Sequence, residues 1–228
     1  DHRVAPYCPR CGTGLSDHEL AQGYETVTDP SVFIRFPITS GELVDLKASL
    51  LVWTTTPWTL VSNTAIAVHP DVDYVAARVT HEEASEVLVV AEALTSSLTG
   101  DVEILKTFKG SSLERVAYSR PLDFVEIPDA HFVVLATYVT TEDGTGLVHQ
   151  APAFGADDLQ VCRSYGLPVV NPIAPNGTFL SEVPMVGGLF FKDADKPLVK
   201  ELKSRGVLYK HLQYEHTYPH CWRCHTAL

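Results

Sequence analysis

Two Cys-x-x-Cys pairs, Cys8-Pro-Arg-Cys11 and Cys221-Trp-Arg-Cys224, stand near opposite ends of a chain of 228 residues. No other feature restricts the fold as much. Two thiolates at this spacing reach one tetrahedral metal from a single turn, and two such pairs complete a closed four-thiolate site. One structural zinc per chain is therefore expected on Cys8, Cys11, Cys221 and Cys224, bringing residues 1–16 and 212–228 together as a zinc-binding knuckle. A redox dithiol would not need a second copy, and disulfides suit an extracellular chain better than one with no secretory start. His216, His220 and His225 are close enough to replace a cysteine, but four thiolates already fill the site. Cys162 is left as a small buried hydrophobe. Paired termini also lead us to expect a domain built like an insertion into a larger protein.

Between the knuckle halves lies enough chain for one large domain. Hydrophobic residues make up 45% of the sequence, so a real core can form. The apolar runs are only a few residues long and the start DHRVAPYCPRC has no basic region leading into an apolar stretch, which predicts a soluble, untargeted, cytoplasmic chain with no membrane partner. The formal charge of −11 argues against a domain that grips a nucleic-acid backbone unaided, because that affinity comes mainly from Lys and Arg neutralising phosphates. DNA is excluded as a partner on the same ground.

Short apolar segments separated by turn residues predict a mixed α/β, strand-rich fold: a β-barrel-like core with a few flanking helices, plus a zinc-ribbon-like knuckle. Strands are expected over 31–38, 43–53, 64–68, 74–79, 87–90, 102–109, 132–138, 147–149, 168–173 and 178–180, with 207–214 leading back to the knuckle. His81 to Glu86 reads as a solvated hairpin tip. Helices are expected over 91–98, from Asp157 to Gly166, and over 195–205 with Leu198, Val199 and Leu202 facing inward.

Two stretches carry chemistry. In LLVWTTTPWTLVSN (50–63) a buried strand runs into Thr54, Thr55 and Thr56, and Pro57 holds Thr56 extended, so three hydroxyls end a strand. Threonine favours strands for packing reasons alone, so the longer context, with Trp53, Trp58 and Asn63, has to carry the functional argument. In GTGLVHQAPAFGADD (144–158) a strand bearing His149 is broken at Pro152 and Gly155, and Asp157 and Asp158 open a helix. The glycines do not make a phosphate loop: the lysine of GxxxxGK[ST] is missing, GxGxxG spacing is missing, and two aspartates would repel phosphate. Taken singly, the aspartates could be ordinary helix caps worth about 1 kcal/mol, and His149 a core histidine.

Together, WTTTPWTLVSN, GTGLVHQAPAFGADD, CPRC and CWRC resemble the editing domain that is inserted into the catalytic domain of isoleucyl-tRNA synthetases. The resemblance spans essentially the whole chain, with 17–211 as the editing domain proper. The sister valyl and leucyl families typically carry arginine in this stretch as TTRP, where Thr56-Pro57 stands here. It implies an aminoacyl-tRNA deacylase that hydrolyses valine from the isoleucine tRNA, and secondarily valyl-adenylate, with no cofactor for the hydrolysis. The implied partners are the valine-bearing acceptor end of that tRNA and the rest of the synthetase polypeptide; no synthetic active site is present. The implied roles are Thr54, Thr55 and Thr56 orienting the ribose, ester and water, and Asp158 holding the α-ammonium with Asp157 beside it. Asn63 would support the site and His149 would limit side-chain size; Trp53 and Trp58 would either pack against the adenosine or simply anchor the core. Many bacterial relatives have HxAPxHG where this chain has Phe154, so that position carries no proton here. The competing function is a zinc-stabilised RNA-binding module without chemistry, disfavoured by the acidic charge and the lack of interleaved aromatic and basic residues.

Overall fold

The computed structural model describes residues 3–82 and 84–228. Each Cys-x-x-Cys pair sits in a tight turn. The first lies between β1 (Tyr7–Cys8) and β2 (Thr13–Gly14), which pair antiparallel. In both turns the residue after the second cysteine adopts a left-handed conformation, Gly12 at φ 67° and His225 at φ 56°. Both also return a backbone bond to the first cysteine's carbonyl, Gly12 N–H to Cys8 O at 2.9 Å and His225 N–H to Cys221 O at 2.8 Å. A short helix, α1 (Asp17–Ala21), follows the first turn. Its start is fixed by a reciprocal capping box between Ser16 and Glu19.

The main sheet has six strands: β3 (Tyr24–Pro37), β4 (Ala48–Thr54), β6 (Asp73–His81), β7 (Ala84–Ala91), β8 (Asp101–Lys109) and β11 (Leu208–Pro219). Their spatial order is β11-β3-β4-β7-β6-β8, antiparallel except for the β4–β7 pair. A smaller sheet places β5 (Ala65–Val68) between β10 (Leu147–Gln150) and β9 (Phe132–Leu135). The two sheets share the principal core. Alternation along β3 and β4 sends Val32, Ile34, Phe36, Leu50 and Val52 into it, where they meet Ile66, Val68, Val133 and Leu147 of the small sheet. The opposite residues, Phe33 and Leu51, join a second cluster with Val75, Val79, Leu88 and Val90. Helix α2 (Ala156–Ser164) covers the small sheet, and α3 (Asp195–Ser204) buries Leu198 and Leu202 in the main core.

The strand-rich α/β expectation holds, with local differences. The strand expected from Leu43 begins at Ala48, because 41–47 turn, with Lys47 at φ 51°. Residues 91–98 form 3₁₀ turns over Glu92–Ser97, broken at Leu94, and not an α-helix. The strand from Phe132 stops at Leu135. Residues 168–173 and 178–180 supply only isolated bridges, Ile173 to Phe179 and Thr178 to Phe190; Pro168, Pro172 and Pro175 remove the donors a ladder needs. In the opposite direction, β3 starts seven residues earlier than Ser31 and pairs with β11 through to Tyr24 and Pro219. The boundary expected at 212 thus falls within a continuous strand. β4 pairs with β3 only from Val32 onward, so Pro30 faces an open edge. The expected hairpin tip joins β6 to β7, with His81 opposite Ala84; its Glu83 lies outside the described residues.

Beyond β11 the knuckle docks back onto β3 by backbone contact. His220 N–H donates to Gly23 O at 2.7 Å, and a Cβ on Gly23 would stand 1.8 Å from His220 O. Only glycine permits that approach. Among the described residues no helix is long and apolar enough to cross a membrane.

Candidate active site

The end of β4 and the end of β10 open on one cleft of about 930 Å³. Thr54 and Thr56 line it, and Thr55 does not, since successive residues of an extended segment point to opposite sides. Thr56 has φ −124° and ψ 70°, a non-helical conformation imposed by the following proline, and the 3₁₀ turn Pro57–Ser62 starts there. The turn brings Thr59 back under Thr56. Thr54 Oγ1 lies 3.1 Å from Thr56 Oγ1, which lies 3.2 Å from Thr59 Oγ1. Three hydroxyls thus form a continuous array, with Thr59 in the place expected for Thr55.

His149 on β10 faces this array. Its Nε2 is 3.0 Å from Thr59 Oγ1, and its Nδ1 is 2.8 Å from Asn63 Nδ2. The ring is buried, only 8% exposed, and burial lowers its pKa to about 4, so it is neutral near pH 7. Asn63 is fully buried behind the wall, where Tyr118 donates to its Oδ1 at 2.7 Å.

The chain then breaks at Pro152, crosses Gly155 and enters α2. Asp158 lies in the first turn of that helix and lines the cleft; its Oδ2 accepts from Ala151 N–H at 2.8 Å. Gly155 permits this placement, because a Cβ there would come within 2.7–2.9 Å of the Asp158 carboxyl atoms. Burial raises the Asp158 pKa, with the charge of Asp157 adding to the rise, and the Ala151 N–H opposes it. The helix N-terminus therefore does not dominate; desolvation does. Asp157, one residue away, is exposed and lies outside the cleft wall. Asp158 is the one acidic side chain lining the cleft, and no Lys or Arg lines it among the described residues.

The two tryptophans separate. Trp58 lines the cleft and is buried against Phe154 (4.7 Å between centroids) and Phe191 (4.6 Å); its backbone N–H donates to buried Asp195 Oδ1 at 2.9 Å. Trp53 does not line the cleft. It has the parity of Leu51 on β4, and it packs on Phe33 and Tyr214 at 6.2 and 5.2 Å. Phe154 serves as an aromatic support for Trp58. The far wall includes Pro6, Tyr7 and Pro9 from the first cysteine turn and Leu228 from the last, so the knuckle borders the cleft.

In the knuckle, the sulfur atoms of Cys8, Cys11, Cys221 and Cys224 all lie within 4.8 Å of one another. They could hold a metal ion. The donor set fits: Cys11 N–H points at Cys8 Sγ at 3.3 Å, a bond that favours a thiolate, and tetrahedral coordination at about 2.3 Å needs sulfurs this close.

Comparison with known proteins places the chain in a family. Residues 32–190 match the family model of the leucyl-tRNA synthetase editing domain, and the chain belongs to that family of synthetase editing domains. Along its whole length it aligns with isoleucine--tRNA ligases. It is 65% identical to that of Streptomyces coelicolor, 67% to that of Thermobifida fusca and 50% to that of Thermus thermophilus. All of this chain is covered in each case, but only 21–22% of the relative, so it spans about a fifth of their length, the editing portion. Among solved structures, GlLeuRS-CP1 shares the fold at TM-score 0.62 and 18% identity, covering 81% of this chain and 99% of that one. The editing domain of P. knowlesi cytosolic leucyl-tRNA synthetase shares it at TM-score 0.58 and 13% identity, covering 86% and 99%.

Proposed function

We propose that this domain hydrolyses the ester of valine attached to the isoleucine tRNA, and the valyl-adenylate by the same contacts. The observation that carries this is the cleft's charge pattern: one carboxylate, Asp158, in a wall otherwise neutral among the described residues. An aminoacyl ester has one positive group, its α-ammonium, and Asp158 is the partner for it. Water adds its hydroxide to the acyl carbon, the acyl carbon–ribose oxygen bond breaks, and the water proton goes to the departing ribose oxygen. Free valine and uncharged tRNA result.

The chain's groups act by positioning. A threonine hydroxyl is far too weak an acid to serve as general base near neutral pH, and His149 is committed to two hydrogen bonds; the hydroxyl array orients the ribose hydroxyl and the water. Thr55, Asp157 and Trp53 fall outside this set by position, and Thr59 enters it. His149 also bounds the pocket, where it excludes the extra methylene of isoleucine. A hydrophobic pocket discriminates one methylene by only about 1–3 kcal/mol, a general figure for which the isoleucine enzyme is itself the standard example. A second, smaller pocket adds to the first selection.

Zinc is the metal that suits four thiolates, and its role at the knuckle is structural, holding the far wall of the cleft. The acidic domain obtains its tRNA from the remainder of the synthetase polypeptide in the cytoplasm, since its own charge opposes phosphate binding. The deciding experiment incubates the purified chain with valyl- and isoleucyl-charged isoleucine tRNA. Release of valine but not isoleucine is expected; binding without any release, even at high protein concentration, would leave only an RNA-binding module. Metal analysis should return one zinc per chain, and chelation should loosen the termini in hydrogen exchange.

A further inference from the structure

Behind the cleft wall the hydrogen bonds run in one direction only. Asn63 Nδ2 lies 3.1 Å from Ala65 O, an atom that can only accept, so the amide orientation is forced: nitrogen toward Ala65 and His149, oxygen toward Tyr118. The Tyr118 hydroxyl, on a side chain 4% exposed and packed edge-on against Phe36, donates to that oxygen at 2.7 Å. His149 Nδ1 faces an amide N–H at 2.8 Å and must therefore be unprotonated. The ring proton then sits on Nε2 and is donated to Thr59 Oγ1 at 3.0 Å.

From Thr59 the order continues toward the cleft. Thr59 gives its own proton to Thr56 O at 2.8 Å, again a carbonyl that can only accept. Thr59 Oγ1 is left accepting, from His149 and from the Thr56 hydroxyl at 3.2 Å. Thr56 has thereby spent its proton inward. Thr54 Oγ1 accepts from Thr56 N–H and stands 3.1 Å from Thr56 Oγ1, to which it can give its proton. One lone pair then remains on each of the Thr54 and Thr56 hydroxyls, and both residues line the cleft.

We propose that Tyr118 and Asn63 are positioning residues that hold His149 as its Nε2–H tautomer and, through Thr59, set Thr54 and Thr56 as hydrogen-bond acceptors toward the cleft. The ligand group that such a wall takes is an O–H donor, either a ribose hydroxyl or the attacking water. An imidazolium would put a second N–H against Asn63 Nδ2, which fits the low pKa that burial gives this ring. The catalytic consequence rests on the deacylase function proposed above; the tautomer does not.

The test is nitrogen NMR on the whole chain with selectively labelled histidine, near neutral pH, together with valyl-tRNA turnover. In the unsubstituted chain His149 should show an unprotonated Nδ1 and a protonated Nε2; a protonated Nδ1 overturns the assignment. Asn63→Asp places a carboxylate oxygen against Nδ1 and should move the proton there, with kcat falling about 10- to 100-fold and KM changing less than about threefold. Tyr118→Phe keeps the ring packing and leaves Asn63 Oδ1 unpaired; it should give mixed tautomers and lower kcat about tenfold. An unaltered Nε2–H signature in that variant removes Tyr118 from the role. An unsubstituted chain that shows the Nε2–H signature but no hydrolysis would sink the deacylase function and leave the tautomer standing.

Discussion

The two walls of the cleft differ in kind. The wall from β10 to α2 contributes one charge, Asp158, partly stripped of water and raised in pKa; the wall from β4 contributes neutral hydroxyls that satisfy one another. A lone buried charge is an all-or-none contact, because the energy of pairing it is concentrated in one group. A hydroxyl array shares its work, so losing one member leaves neighbours that reorient. The difference predicts a steep gradient of mutational effects across a single cleft.

The largest effect belongs to the charged wall. Asp158→Ala should lower valyl-tRNA hydrolysis about a thousandfold, equivalent to roughly 4 kcal/mol, with the fold intact by circular dichroism. Asp157→Asn should change it less than about threefold, since Asp157 is exposed. Equal losses at the two positions would break the comparison. The raised pKa also sets a pH dependence. In the proposed role it is the ionised carboxylate that binds the ammonium, so activity should fall on acidification at a higher pH than an ordinary aspartate would give. Next comes His149→Ala, which removes the proposed gate and should narrow the preference for valyl over isoleucyl tRNA by about 10- to 100-fold. Unchanged selectivity in a competition assay would take His149 out of that role.

The hydroxyl wall should respond more weakly. Thr56→Ala removes one link while Thr54 and Thr59 remain, and a loss of about tenfold in kcat is expected. A loss as large as that of Asp158→Ala would mean that one threonine acts alone, and the contrast between the walls would be gone.

Much of this architecture is legible in the sequence, where the chemistry depends on local spacing. The cysteine pairs announce a shared site across more than two hundred residues, and their four sulfurs do converge. Short apolar runs bounded by turn residues, such as 74–79 within β6, are likewise readable. Where spacing gives no information, position has to come from the fold. Strand parity puts Trp53 and Thr55 away from the cleft and helix phase turns Asp157 outward, although each adjoins a residue that lines it. Thr59 needs the 3₁₀ turn to reach its place, and its partner His149 is 90 residues away. Tyr118 meets Asn63 across 55 residues and Asp195 meets Trp58 across 137; no local pattern connects them. Residues 24–30 lie outside the strand expected from Ser31, because pairing with β11 is what makes them a strand.

Asp195 gives the smallest effect on turnover and the sharpest test of what supports the neutral wall. It opens α3, is 3% exposed, and accepts from Trp58 N–H in the turn that carries Thr59. Burial raises its pKa to about 7, and nearby Lys192, itself paired with Asp29, only partly offsets the rise. The unfolded value is about 3.9. A raised folded pKa means that the native state holds the proton more tightly, so this contribution to stability is complete below the unfolded value and is lost as pH rises toward and through about 7. Asp195→Asn keeps an oxygen that can accept from Trp58 and removes the titration. Turnover should stay within about threefold of the unsubstituted chain, while the difference in Tm should move in the variant's favour as pH rises from about 4 to about 7. Parallel Tm profiles would show that Asp195 does not titrate there. A large fall in kcat at unchanged stability would show that the turn depends on the charge itself, and the β4 wall could then no longer be described as working through neutral groups alone.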